Sequence, residues 1–182
     1  GAGYTNVNNQ LIILGSYDLI SRTVDSLSFM NVEYITKGRF KTRNIYRNTP
    51  ITVEYSQLDP TVYNHLFRCY VQQDGSLLIT TTEEDFPFSY VTHYGEELVT
   101  SLFTARIWPT NMMTSPGQHI SFRFRSHDSW TEEFSSRLQL NFVTERSTVL
   151  GIQLVGETPA RDREFIDKLS DIYLLQNVER KN

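Results

Sequence analysis

The amino-acid sequence predicts an α+β fold: a mixed sheet with flanking helices formed by the two chain ends, plus an inserted β-rich subdomain and a long C-terminal helix that breaks off in mid-course. Three observations predict it. Runs of β-branched and aromatic residues alternating with polar ones fill the middle of the chain, where strands are the expected outcome. Apolar residues recur at helical spacing near both ends. Leu, Ile, Val and Phe number 52 of the 182 residues, enough for a core and well above the level of a disordered chain. The expected division is a base of residues 3–56 and 138–182 around a β-rich insertion of residues 57–137.

Ser16 is the expected N-cap of the first helix, and Leu19, Ile20, Thr23, Val24 and Leu27 follow at helical spacing over residues 16–28. VEYITKGRF from Val32 and ITVEY from Ile51 read as strands, separated by turn-prone residues that end at Pro50. From His65 to Trp108 the chain reads as strands: LFRCYVQ, LLITTT, and then LVTSLFTARIW. QDGS at residues 73–76 signals a hairpin, because Gly75 accepts the positive φ that a tight turn demands. In HISFRFRS from His119, Ile120, Phe122 and Phe124 fall on one side and His119, Ser121, Arg123 and Arg125 on the other, so one face is expected buried and one wet.

Ser129 to Glu132 fits a capping box and is expected to start a short helix that runs to about Leu138. LQLNFVTE and VLGIQLVGE read as two further strands. Thr158 and Pro159 then supply an N-cap and an N1 proline for the last helix. Its expected buried stripe is Phe165, Ile166, Leu169, Ile172 and Tyr173, with Arg161, Asp162, Lys168 and Asp171 turned away.

Composition narrows the function. A net charge of −4 argues against a dedicated nucleic-acid binder, which needs a basic footprint. One cysteine, Cys69, excludes an internal disulfide and a Cys-rich zinc site, and its apolar neighbours predict an inert buried thiol. The four histidines, His65, His93, His119 and His127, have no metal-ligand or hydrolytic spacing, and Glu83-Glu84-Asp85 reads as a solvated loop. No phosphate-binding glycine loop or kinase signature is present in the sequence, so catalysis is not expected of this segment. The longest apolar run, Leu11 to Leu14, is far short of the roughly 20 residues of a membrane span.

One charge pattern stands out. Lys37, Arg39, Lys41 and Arg43 are spaced by two, so a strand continuing that far would project them as a basic row. Such a row suits an anionic glycan, lipid headgroups or an acidic patch of a neighbouring subunit, and it also suits an ordinary wet sheet face. Arg123 and Arg125 invite the same two readings.

Residues 8–55 and 138–182 resemble the periplasmic domain of the bacterial chain-length determinants, or polysaccharide co-polymerases, including those fused to cytoplasmic tyrosine autokinases. In the first segment Leu14, Ser16, Val24, Leu27, Tyr46 and Pro50 fall where the family's helix-and-strand opening expects them. In the second, Tyr173, Asn177, Glu179 and Lys181 match the element whose last helix runs on into a helical arm. LDP at residues 58–60 and QDGSLLI at residues 73–79 are similar to the insert of the autokinase-linked subgroup.

The resemblance implies a non-catalytic, membrane-proximal module of an inner-membrane protein, lying in the periplasm and without a cofactor. Its implied partners are further copies of itself in a ring, the polysaccharide with its polymerase and export machinery, and the membrane through flanking spans. Gly1 and Ala2 have the look of residues left by cloning, which fits a piece of such a protein. The alternative reading is a free-standing β-sandwich module for glycan binding or adhesion, suggested by the alternating strands and the 13% aromatic content.

Overall fold

Period-two alternation through the middle of the chain makes strands, and helical spacing at the two ends makes helices, so the fold is α+β. The computed structural model describes residues 10–37, 42–112, 115–142 and 150–181. It divides into two compact units, residues 32–125 and, from the two chain ends, residues 1–31 with 126–182.

The unit of residues 32–125 is built from β1 (Val32–Lys37), β2 (Thr42–Ile45), β3 (Ile51–Ser56), β4 (Phe67–Val71), β5 (Leu77–Thr81), β6 (Ser89–Thr92), β7 (Leu98–Val99), β8 (Thr104–Pro109) and β9 (His119–Phe124). They form a six-stranded sheet in the order β2-β1-β9-β4-β5-β6 and a three-stranded sheet in the order β3-β8-β7, with every pairing antiparallel. The turn at Gly75 forms as expected, with φ of 84° and its N–H donating to the Gln72 carbonyl.

Phenylalanine rings join the two sheets. Phe67, from the centre of the six-stranded sheet, meets the rings of Phe88, Phe103 and Phe122 at 5.0, 5.4 and 5.5 Å, and Tyr55 of β3 meets Phe124 edge-on at 4.9 Å. Buried Tyr34 of β1 reaches across as well: the Val53 N–H of edge strand β3 donates to its hydroxyl at 2.8 Å. Burial pushes the Tyr34 phenol up to about 12.

The sequence division at residues 57 and 137 is displaced here. β1 and β3, expected in the base, are held in this unit by their ladders, β1 to β9 and β3 to β8. Val32 pairs with Phe124, so the unit's two ends leave side by side, the arrangement expected of a domain inserted into another.

The other unit consists of a helical turn at residues 10–14, α1 (Tyr17–Asp25), α2 (His127–Arg137), a hairpin of β10 (Gln139–Phe142) and β11 (Leu150–Gln153), and α3 (Pro159–Lys181). Ser16 caps α1 by accepting from the Leu19 N–H. The cap of α2 is Ser126 and not the expected Ser129, whose own N–H donates to the Ser126 hydroxyl at 3.1 Å. His127 and Asp128 thus supply a first turn that the capping-box reading left out.

Trp130 of α2 is fully buried and donates from Nε1 to the Met30 carbonyl at 2.8 Å, tying the two chain ends together. Phe134 stacks on Phe165 of α3 at 3.9 Å. Phe165, Leu169 and Tyr173 of the expected stripe are buried. Arg161 and Asp162, expected to face away, are buried too. The Arg161 guanidinium lies over the Trp130 ring at 4.5 Å, and Arg137 grips Asp162 with two bonds of 2.9 and 2.5 Å. Gly156 leaves the room this needs, since a Cβ there would collide with the Arg137 guanidinium.

Candidate functional site

The basic row is the natural place to begin, and the structure breaks it. β1 ends at Lys37 and the chain returns as β2, so the four positions do not share one strand. Lys37 pairs with Thr42 and Thr36 with Arg43, which gives positions 37 and 43 opposite parity in the ladder. Arg39 and Lys41 lie outside the described residues.

The Arg123 and Arg125 pair is resolved differently. Both guanidiniums reach Oε1 of Glu33, at 3.0 and 2.7 Å, and the Glu33 side chain is only 3% exposed. These cations serve a buried carboxylate, which must be paired to stay charged. Ser121 beside them is also buried, so the outer face at the centre of β9 is drier than its alternation suggests.

Lys37 has instead a local setting of its own. It borders an open cleft of about 580 Å³ together with Asn48, Gln118, His119 and the exposed Met112. The His119 ring rests 5.1 Å from Tyr70, its neighbour across the β4–β9 ladder. An ammonium, an imidazole and two amides around one hollow form a donor-rich surface for an anionic or hydroxyl-rich ligand. Only Lys37 of this group was singled out in the sequence, because the others come from separate loops and strand ends.

A second hollow, of about 190 Å³, lies on the outer face of the three-stranded sheet, lined by Glu54, Ser56, Glu97, Thr104 and Arg106 among others. Cross-strand register sets Glu54 opposite Arg106 and Thr52 opposite Trp108, so the indole continues the same face. The Arg106 guanidinium bonds the Gly95 carbonyl at 2.6 Å and Glu97 at 3.2 Å. Trp108 is 42% exposed and its ring covers Gly95 so closely that a Cβ there would sit 3.0 Å from it. Gly95 also has φ of 77°, so two separate constraints favour glycine at the turn under the indole. The alternation in TARIWP could have revealed this face, since Thr104, Arg106 and Trp108 are spaced by two.

The remaining sequence candidates have structural settings. Cys69 is buried and its thiol is pushed up to about 12 by burial, far from the thiolate a nucleophile needs. His65 stacks on Phe86 at 3.6 Å and bonds to Glu83. His127 donates from Nε2 to the Ser21 carbonyl at 3.0 Å and lies 3.1 Å from both Asp25 and Asp128 carboxylates. That carbonyl first, and then the carboxylates, raise its pKa. Among the described residues no three His, Cys, Asp or Glu side chains gather as metal ligands, and no helix is long and apolar enough to cross a membrane.

Scans of the chain against protein-family models and against curated proteins give no match.

Proposed function

We propose that this chain is the periplasmic scaffolding module of an inner-membrane polysaccharide co-polymerase, a chain-length determinant of capsular or exopolysaccharide biosynthesis. The observation that carries the reading is the unit made from both chain ends. Helices from residues 17–25 and 159–181 belong to one α+β body, and a β unit whose ends lie side by side is inserted between them. The resemblance of residues 8–55 and 138–182 likewise implies a body built from both chain ends around an insertion, although residues 32–55 here belong to the inserted β unit.

The module acts by shape and assembly and performs no catalysis. Copies anchored by flanking spans form a ring, and the β units present their donor-rich and aromatic faces to the growing polymer and its polymerase. Where an autokinase is attached, it lies on the cytoplasmic side and outside this segment. Exposed Leu174 and Leu175 on α3 and Ile12 before α1 supply apolar contact surface for neighbouring copies.

Deleting the encoding gene and resolving the cell's surface polysaccharide by electrophoresis tests this reading. The expected result is a changed modal length or loss of high-mass polymer, restored by the whole gene. An unchanged length distribution and yield would contradict it. The outward Trp108 face favours the second reading, a glycan-binding or adhesion module, which predicts normal polymer length with altered surface attachment.

A further inference from the structure

We infer that the outer face of the β3-β8-β7 sheet is a glycan-binding site, with Trp108 as the stacking platform for a pyranose ring and Glu54, Glu97 and Arg106 as its hydrogen-bonding partners. The identity of the ligand as a polysaccharide rests on the proposed function; the face itself is read from its own chemistry.

The platform is built in advance. The Trp108 ring packs over Gly95 and is still 42% exposed, so a ligand meets a flat apolar surface seated on the turn beneath it. Next to it, β8 places Arg106 two residues away on the same face, and Glu97 and the Gly95 carbonyl hold its guanidinium. Glu54 faces Arg106 across the ladder, yet among the described residues it has no ion-pair partner, and its carboxylate is exposed.

A pyranose offers what this arrangement lacks. Its axial C–H face is apolar and fits an indole, while its hydroxyls donate to carboxylates and accept from a guanidinium. The hydroxyls of Ser56 and Thr104, which also line the hollow, can do both. The volume of about 190 Å³ holds many times the ~30 Å³ share of a water molecule but falls below a drug-sized pocket, which suits one sugar ring of a chain that continues over the surface. A peptide would ask for apolar side-chain pockets, whereas Glu54, Ser56, Glu97, Thr104 and Arg106, among the residues lining the hollow, carry a charge or a hydroxyl for sugar hydroxyls to meet.

The molecule has two tryptophans, which makes the test specific. The chain is titrated with β-1,4-glucan, α-1,4-glucan, chitin-type and uronate-bearing hexasaccharides while both indole N–H resonances are followed. At least one saccharide is expected to shift the Trp108 signal to saturation, while the Trp130 signal, buried and bonded to Met30, stays in place. Trp108→Ala should weaken that binding by about ten-fold or more, the scale of a central aromatic anchor. Glu54→Gln, at an exposed position with no ion pair to lose, should weaken it several-fold while leaving the melting temperature unchanged.

No shift of Trp108 with any of the four saccharides, or equal affinity in Trp108→Ala, would overturn the site. The cellular assay separates the two proposals. A polymer length that depends on the gene but not on Trp108 would leave the co-polymerase reading standing without this site, whereas saccharide binding without any length effect of gene deletion would do the reverse.

Discussion

The two units of this molecule are held together by different means. In residues 32–125 the interior is a cluster of phenylalanines between two sheets, and the one buried carboxylate among the described residues of this unit, Glu33, lies outside that cluster beside two arginines. In the unit of the chain ends, charge enters the core itself. Arg161 rides on Trp130, and Asp162 is gripped by Arg137 next to the Phe134–Phe165 stack. The first unit is contiguous in sequence and the second joins residues some hundred positions apart, as the Trp130 to Met30 bond does. Its formation therefore carries the loop-closure cost of everything between, which the adjacent ends of the inserted unit keep low.

The largest expected effect falls on the aromatic cluster. Phe67→Ala should destabilise the β unit by about 3–5 kcal/mol, because removing a fully buried ring packed against Phe88, Phe103, Phe122 and Phe124 leaves a cavity that the surrounding rings cannot collapse to fill. Urea unfolding followed by near-ultraviolet circular dichroism measures it, and a loss below about 1 kcal/mol would mean the cluster is not the keystone of the sandwich. Arg137→Ala comes next, at about 2–4 kcal/mol, since it leaves the Asp162 carboxylate buried without its main partner; the arginine's own 23% exposure tempers the loss. A cycle with Asp162→Asn separates the pair from its packing.

Tyr34→Phe sharpens the comparison from the β side. It removes the acceptor of the Val53 N–H and should cost about 1–2 kcal/mol, with no change in the helical unit. The smallest effect is the pH response of His127. Its pKa is raised in the folded state by the Ser21 carbonyl, so the proton it binds stabilises the fold. That contribution is fully present below the ordinary value of about 6.5 and disappears as pH rises through the raised one. Thermal melts of the helical unit should therefore drop from mildly acidic to mildly alkaline pH, and His127→Gln should remove that part of the slope.

Much of the fold was legible before the structure. Ser16 as a cap, the Gly75 turn, the Pro159 helix start and the buried face of β9 are all local or periodic signals, and local rules decided them. Misreadings came where tertiary context overrode pattern. Arg161 and Asp162 look solvated on a helical projection, and only the presence of Arg137, Trp130 and Gly156 across the unit makes their burial tolerable. The division of the chain failed at β1 for the same reason, because its pairing partner β9 lies far along the sequence.

The basic row rested on one strand holding all four positions, whereas Lys37 and Arg43 lie on two paired strands, β1 and β2. Of the candidate sites, sequence gave Lys37 alone. The face around Trp108 depends on a glycine turn folding beneath an indole, and no spacing rule announces that contact.

Membrane topology of the whole gene product tests the central claim most directly. The co-polymerase account predicts an apolar run of about 20 residues ahead of residue 3 and another beyond a helical arm that follows Asn182, with the intervening segment open to protease from the periplasmic side. A cleavable signal peptide with no spans on either side would contradict it.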